Sequence, residues 1–429
     1  MGMFLGGTLL MYLTFLAHVA GVVAFTRNGF LAVQIVTTVV LGMLFGKFRM
    51  KTPAIHIHDA HHRCASTGMQ KMIVCIFGAW IILKLIAGFI VLTGPAYFDD
   101  TVNNWNIRAK SYVQMHELVL EIEPGKGVGT GSYPPTVPMF KAWLTLLNGG
   151  QWHEGLANAM HEVWYVCALA LLFFALKRMT GTGWAIIGTY ILSAIPLYTM
   201  HGMVAYGDGF LSLHIFLAVS LLFHAVRSAT TEERSAFVRL LAFAAALLVF
   251  TKNEAILLHL PPIVLLLLLW LGQSVVNNRM TKAEALKHIL TVGCAVAAVL
   301  LPWLFFKWAN GLTFGNAKGI AGLELSWHEK VLSTIFVNTF LEGNWSILPG
   351  MLIALLVLRP RDAFLSPVFI LTGFFLAVII GQLPIYLLTA LAVEAVNQTG
   401  YARGIIHLVP VIVMATTILL WKWWESEKE

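Results

Sequence analysis

MIVCIFGAWIILKLIAGFIVLTGPAYFDD, residues 72–100, decides the fold class. A membrane-spanning helix needs about 20 apolar residues, and the stretch from Met72 to Thr93 supplies them with Lys84 as its one charge. Pro95 cannot continue a helix. Two adjacent acids, Asp99 and Asp100, then follow at the edge of the run. Outward from this stretch the pattern repeats, with apolar runs near 4–25, 29–47, 156–176, 183–200, 209–226, 236–251, 255–272, 288–306, 345–358, 365–390 and 403–421. The pattern predicts an all-α polytopic membrane protein of about twelve transmembrane helices.

Composition agrees. Of 429 residues 58% are hydrophobic and 11% charged, against roughly 25% charged in soluble domains. A soluble enzyme, a disordered chain and a nucleic-acid module are excluded on that ground. The four cysteines, at 64, 75, 167 and 294, show neither disulfide-framework nor zinc spacing. The formal charge of +7 reads as positive-inside bias. With the N-terminus inside, seventeen Lys and Arg fall on the cytoplasmic side and ten on the outer side. The first run has no charged leader and no small-residue cleavage site, so it reads as an anchor. Residues 1–71 form a two-helix addition and cytoplasmic loop, and 72–429 the main module. His56, His58, His61, His62 and Cys64 leave a metal site in that loop open, although ligand-rich loops are often simply solvated.

This topology leaves two long outer loops, about 95–154 and 307–344. In the first, Val102–Val119 interleaves apolar and polar residues and reads as an interfacial helix. Tyr133-Pro134-Pro135 starts a second, which runs through Trp143. Charged groups at membrane depth are costly and tend to be functional. Asp99 and Asp100 are candidates for proton transfer, with helix capping as the plainer alternative. Asp208 falls on the same side and has the same alternative. Thr251-Lys252-Asn253-Glu254 interrupts two apolar runs without turn residues, and Lys is a good point charge for phosphate. Arg403 opens the last run. Lys84, unpaired in mid-run, needs a carboxylate or a wet cavity. Together these are acids for base chemistry and cations for a phosphorylated group, at the depth of a lipid-phosphate head group.

Phe98-Asp99-Asp100, Tyr133-Pro134-Pro135 with Trp143, Asp208, Thr251-Lys252, and Arg403 before Pro410 resemble, in order and side, the motifs of the GT-C membrane glycosyltransferases. The likeness is to the branch of protein O-mannosyltransferases and lipid A aminoarabinose transferases. It implies sugar transfer from a polyprenyl-phosphate donor to a glycan, lipid or protein acceptor, outside the inner membrane. It implies Asp99, Asp100 and Asp208 as catalytic acids, and Lys252, Arg403 and Lys84 around the donor phosphate. Trp105, Arg108, Lys110, Tyr133, Trp143 and Glu254 would line the substrate site. A divalent metal at Asp208 stays open, and membrane lipids are the remaining partners. Some relatives carry a Lys just before the Pro pair, where this chain has Tyr133. The rival reading is a transporter or flippase of a lipid-linked or anionic substrate, with Lys84, Lys252 and Glu254 as an intramembrane relay; a non-catalytic envelope subunit is a third.

Overall fold

The computed structural model describes residues 1–49, 68–121, 129–314 and 326–427. The histidine-rich stretch 56–64 lies outside them. Among the described residues the chain is helical and has no strand.

The centre is the helix Gly207–Arg227, 89% buried over its most apolar window. Its sequence explains this, since Phe210, Leu211, Leu213, Ile215, Phe216, Leu217 and Val219 face all directions, and a helix apolar all round belongs inside a bundle. Glu154–Thr180, Thr231–Leu248, Phe369–Leu388 and Val409–Ser426 pack around it. By contrast Arg27–Lys47 is 6% buried and Lys71–Thr93 is 11% buried, as lipid-facing helices are. Gly2–Val19 leads the chain yet packs inside it. Its Thr8 hydroxyl meets His214 at 3.1 Å, and the Tyr12 hydroxyl donates to the Ala298 carbonyl at 2.8 Å.

The expected count of twelve spans is not confirmed among the described residues. Among the described residues eight helices are long and apolar enough to cross a membrane, and ten if each of two bent pairs is one span. Thr182–Ala194 turns by 75° into Pro196–Met203, where Pro196 supplies no N–H, and Gly400–Ile406 turns by 50° into Val409–Ser426. Two expected runs differ for physical reasons. Thr231–Leu248 carries Glu232, Glu233, Arg234 and Arg239 and is shielded by its neighbours. Leu348–Leu358 has 11 residues, about 16 Å of helix.

The first long loop returns to the bundle as two short helical pieces. Thr101–Asn106 is a π-helical turn that continues into Ile107–Met115, ended by His116 in the left-handed region. Thr136–Leu147 is the second piece. The N-terminal hairpin clasps the first: the Leu118 N–H donates to His18 Nε2 at 3.1 Å, and the Phe25 N–H donates to the His116 carbonyl at 2.8 Å.

Candidate active site

Asp208 sits in the first turn of Gly207–Arg227, where the helix dipole favours an anion. Its side chain is fully buried. Gly207 before it has no room for a Cβ, which would meet the Trp105 ring at 2.7 Å. The carboxylate takes donors from two other parts of the chain. Lys252 Nζ lies 2.8 Å from Oδ1, and His407 Nε2 is 2.9 Å from the same oxygen. Arg403 places Nε and one terminal nitrogen 3.0 Å from Oδ2, and His201 Nδ1 stands 3.9 Å away. An uncompensated buried carboxylate costs several kcal/mol. Here the charge is matched and every acceptor direction is filled.

Arg403 also reaches outward, with its other terminal nitrogen 2.7 Å from Asp100 Oδ2. It therefore bridges a buried acid, 195 residues before it in the chain, and a partly exposed one. Asp99 has no such cation among the described residues and accepts a hydrogen bond from the Asn103 side chain. Glu254 stands 3.5 Å from Lys252, and the Tyr133 hydroxyl donates to Glu254 at 3.5 Å. Lys252 lies over the Tyr133 ring, 5.8 Å from its centre, and Arg403 over Tyr206 at 5.5 Å. Burial lowers the Lys252 ammonium, but the carboxylates of Asp208 and Glu254 outweigh it and hold the group above the ordinary lysine value. Burial and the Glu254 charge push the Tyr133 phenol up to about 12.

Six of the residues singled out from sequence thus meet at one end of the bundle: Asp100, Asp208, Lys252, Glu254, Arg403 and Tyr133. Asp99 adjoins them on the exposed side. Lys84 does not join them. Its ammonium donates to the Ser193 carbonyl at 2.7 Å and lies over Trp80 and Tyr190. The 75° break after Ala194 leaves that carbonyl without a helical N–H, and Lys84 and the Thr199 hydroxyl fill the gap. Trp105 and Arg108, each 1% exposed, are wall and not lining. The Arg108 guanidinium donates to the Tyr133 carbonyl at 2.9 Å and so holds the Tyr133 segment from behind. Lys110 stacks over Trp152 at 5.0 Å, and Trp143 packs half-buried against the core. Among the described residues no group of three or more His, Cys, Asp or Glu is placed to hold a metal ion.

Sequence reading missed His407, His201 and Lys307. His407 had a signal, standing four residues after Arg403 and hence on the same helical face. His201 had none. Lys307 donates to the carbonyls of Ser132 at 2.7 Å and Thr313 at 2.6 Å, which ties the segment before Tyr133 to the end of Lys282–Ala309.

A helical bundle with a broken final span and two short helical pieces after an acidic pair is a fold that this chain shares with solved membrane-protein structures. The particular neighbours are structures of ArnT from Cupriavidus metallidurans. The form bound to undecaprenyl phosphate matches with a TM-score of 0.57 and 14% identity, over 81% of this chain and 60% of its own. The apo form matches at 0.56 and 15%, over 84% and 62%. The chain thus spans about three fifths of the length of these neighbours. No family model and no curated protein matches the sequence.

Proposed function

We propose that this protein is a membrane glycosyltransferase that moves a sugar from a polyprenyl-phosphate donor to an acceptor hydroxyl. The observation that carries the reading is the nest itself: Lys252 and Arg403, held by buried Asp208, beside the acids Asp99 and Asp100. The neighbour solved with undecaprenyl phosphate supports the donor class.

In this reading Lys252 and Arg403 grip the donor phosphate. Asp208 fixes both cations before the donor arrives, so little reorganisation is needed as charge develops. Asp99, unpaired with any cation among the described residues, takes the proton of the acceptor hydroxyl as its oxygen attacks the anomeric carbon. The bond from that carbon to the phosphate oxygen breaks, and the lipid phosphate leaves with its electron pair against the two cations. One in-line displacement inverts the anomeric centre.

The site would face the outside of the inner membrane. Gly207–Arg227 and Val409–Ser426 both start beside the nest. They end near Arg227 and Lys422, and Lys177, Arg178, Arg359 and Arg361 share that far end. The positive-inside rule puts the far end in the cytoplasm.

The test is incubation of purified protein in detergent with labelled polyprenyl-phosphate sugars, following release of lipid phosphate and labelled product. Release that is lost in Asp99→Asn supports the reading. No release with any donor overturns it and leaves a transporter, which needs two compartments and makes no product.

A further inference from the structure

Lys141 is 0% exposed, although it lies in the second interfacial helix of a membrane protein. Its amine donates to Asn106 Oδ1 at 2.6 Å and to Asn158 Oδ1 at 2.8 Å. The Asn106 amide in turn donates to Glu154 at 2.8 Å. Four residues from three segments, the π-turn 101–106, Thr136–Leu147 and Glu154–Thr180, are thereby tied at one point. Burial holds the Lys141 amine well below the ordinary lysine value, against the pull of Glu154. In either protonation state it has at least two N–H groups, enough for both amide oxygens.

The π-turn needs such a tie. π-helices are rare and occur mostly at functional sites. Thr101 Oγ1, Asn104 Oδ1 and Trp105 Nε1 in this turn are buried without a hydrogen-bond partner, and unmet polar atoms disfavour the conformation that buries them. The turn is fixed on its two sides by neighbouring residues: Asn106 in the Lys141 nest, and Trp105 against Gly207. Asp100 is the residue immediately before the turn, and Gly207 immediately precedes Asp208. Were the extra residue of the π-turn absorbed into an α-helix, Asp99 and Asp100 would rotate by roughly 100° and Asp100 would leave Arg403.

We infer that Lys141 is a positioning residue: through Asn106 it locks the π-turn in the register that presents Asp99 and Asp100 to the catalytic nest. This rests on the function proposed above. Lys141 touches no substrate, so its effect belongs to the turnover rate and not to phosphate binding.

The experiment compares wild type, Lys141→Met and Lys141→Arg in detergent by kcat and donor KM, by undecaprenyl phosphate affinity, and by hydrogen exchange at residues 101–106. Lys141→Met should lower kcat on the order of 100-fold, the scale of a misplacement of roughly 1 Å. Lipid-phosphate affinity should stay near wild type, and exchange at 101–106 should speed up. Lys141→Arg, which keeps the donors, should recover most of kcat and of the protection. If Lys141→Met fails to fold, Asn106→Ala opens the same tie from the other side and should show the same split. Unchanged kcat, unchanged exchange at 101–106, or equal losses in kcat and affinity overturns the inference. A wild type that transfers no sugar sinks the proposed function instead, and the exchange contrast then still decides whether Lys141 holds the turn.

Discussion

The two ends of the bundle use their charges differently. At one end Asp208 is fully buried, and its partners Lys252 and His407 are each 4% exposed along their side chains. At the other, Arg178 meets Glu233 at side-chain exposures of 35% and 26%, and Lys422 meets Asp362 at 2.6 Å with 27% and 29%. The far-end pairs sit where water screens them, and such pairs contribute about 0–1 kcal/mol. The nest holds its charges away from water, where a charge is kept only if its partners are all in place. A buried arrangement of this kind serves preorganisation better than stability, because well-packed apolar residues would stabilise the fold at least as well.

Substitutions at the two ends should therefore differ steeply. Asp208→Ala leaves Lys252 and Arg403 without their shared counter-charge. It should abolish transfer and lower unfolding stability by about 3–5 kcal/mol, read by thermal denaturation in detergent. Lys252→Met removes one proposed phosphate contact. It should cost on the order of 100- to 1000-fold in kcat, as the loss of one preorganised donor does, and weaken undecaprenyl phosphate binding. Asp99→Asn should lower kcat by at least about 100-fold, the smaller end of general-base effects, with lipid-phosphate affinity retained. At the far end Arg178→Ala should shift stability by less than about 1 kcal/mol and leave transfer unchanged.

The pH response sharpens the same contrast. The folded-state value of Lys252 lies above the ordinary 10.5. A cation shifted upward gives stability that is complete below its unfolded value and is lost only as pH climbs through the folded one. Raising the pH from 7 to about 9, below the unfolded lysine value of roughly 10.4, should leave the contribution of the Lys252–Asp208 pair to the melting temperature intact. A fall in Tm over that window that disappears in Lys252→Met would contradict the pairing.

Much of this architecture was legible in the sequence because membrane spans follow from length and apolarity, local properties of the chain. The all-α class, the acidic pair after Pro95 and the interfacial pieces near Val102 and Tyr133 follow from such local signals. The span count did not, since the apolar run 236–251 folds as the C-terminal part of a helix, Thr231–Leu248, that opens on Glu232, Glu233 and Arg234, and the run 345–358 yields a helix of only 11 residues. Lys84 misled for a related reason. A lone intramembrane cation signals an unmet need, but whether a phosphate or the free carbonyl of a broken helix meets it depends on a kink at Pro196 that sequence does not pair with residue 84. The convergence of Asp208, Lys252 and Arg403 was guessed from side and depth; the choice of Asp100 over Asp99 as the partner of Arg403 came only from the folded geometry. Lys141 looked like an ordinary outer-loop lysine because its amide partners lie 35 and 17 residues away.

The most direct test is equilibrium binding of undecaprenyl phosphate to the purified protein, with Lys252→Met and Arg403→Gln measured beside wild type and Arg178→Ala as the far-end control. The account predicts saturable binding to wild type and to Arg178→Ala, weakened at least about tenfold, or 1.4 kcal/mol, in each of the two nest variants. Equal affinity in all four proteins, or no binding to wild type, would contradict it.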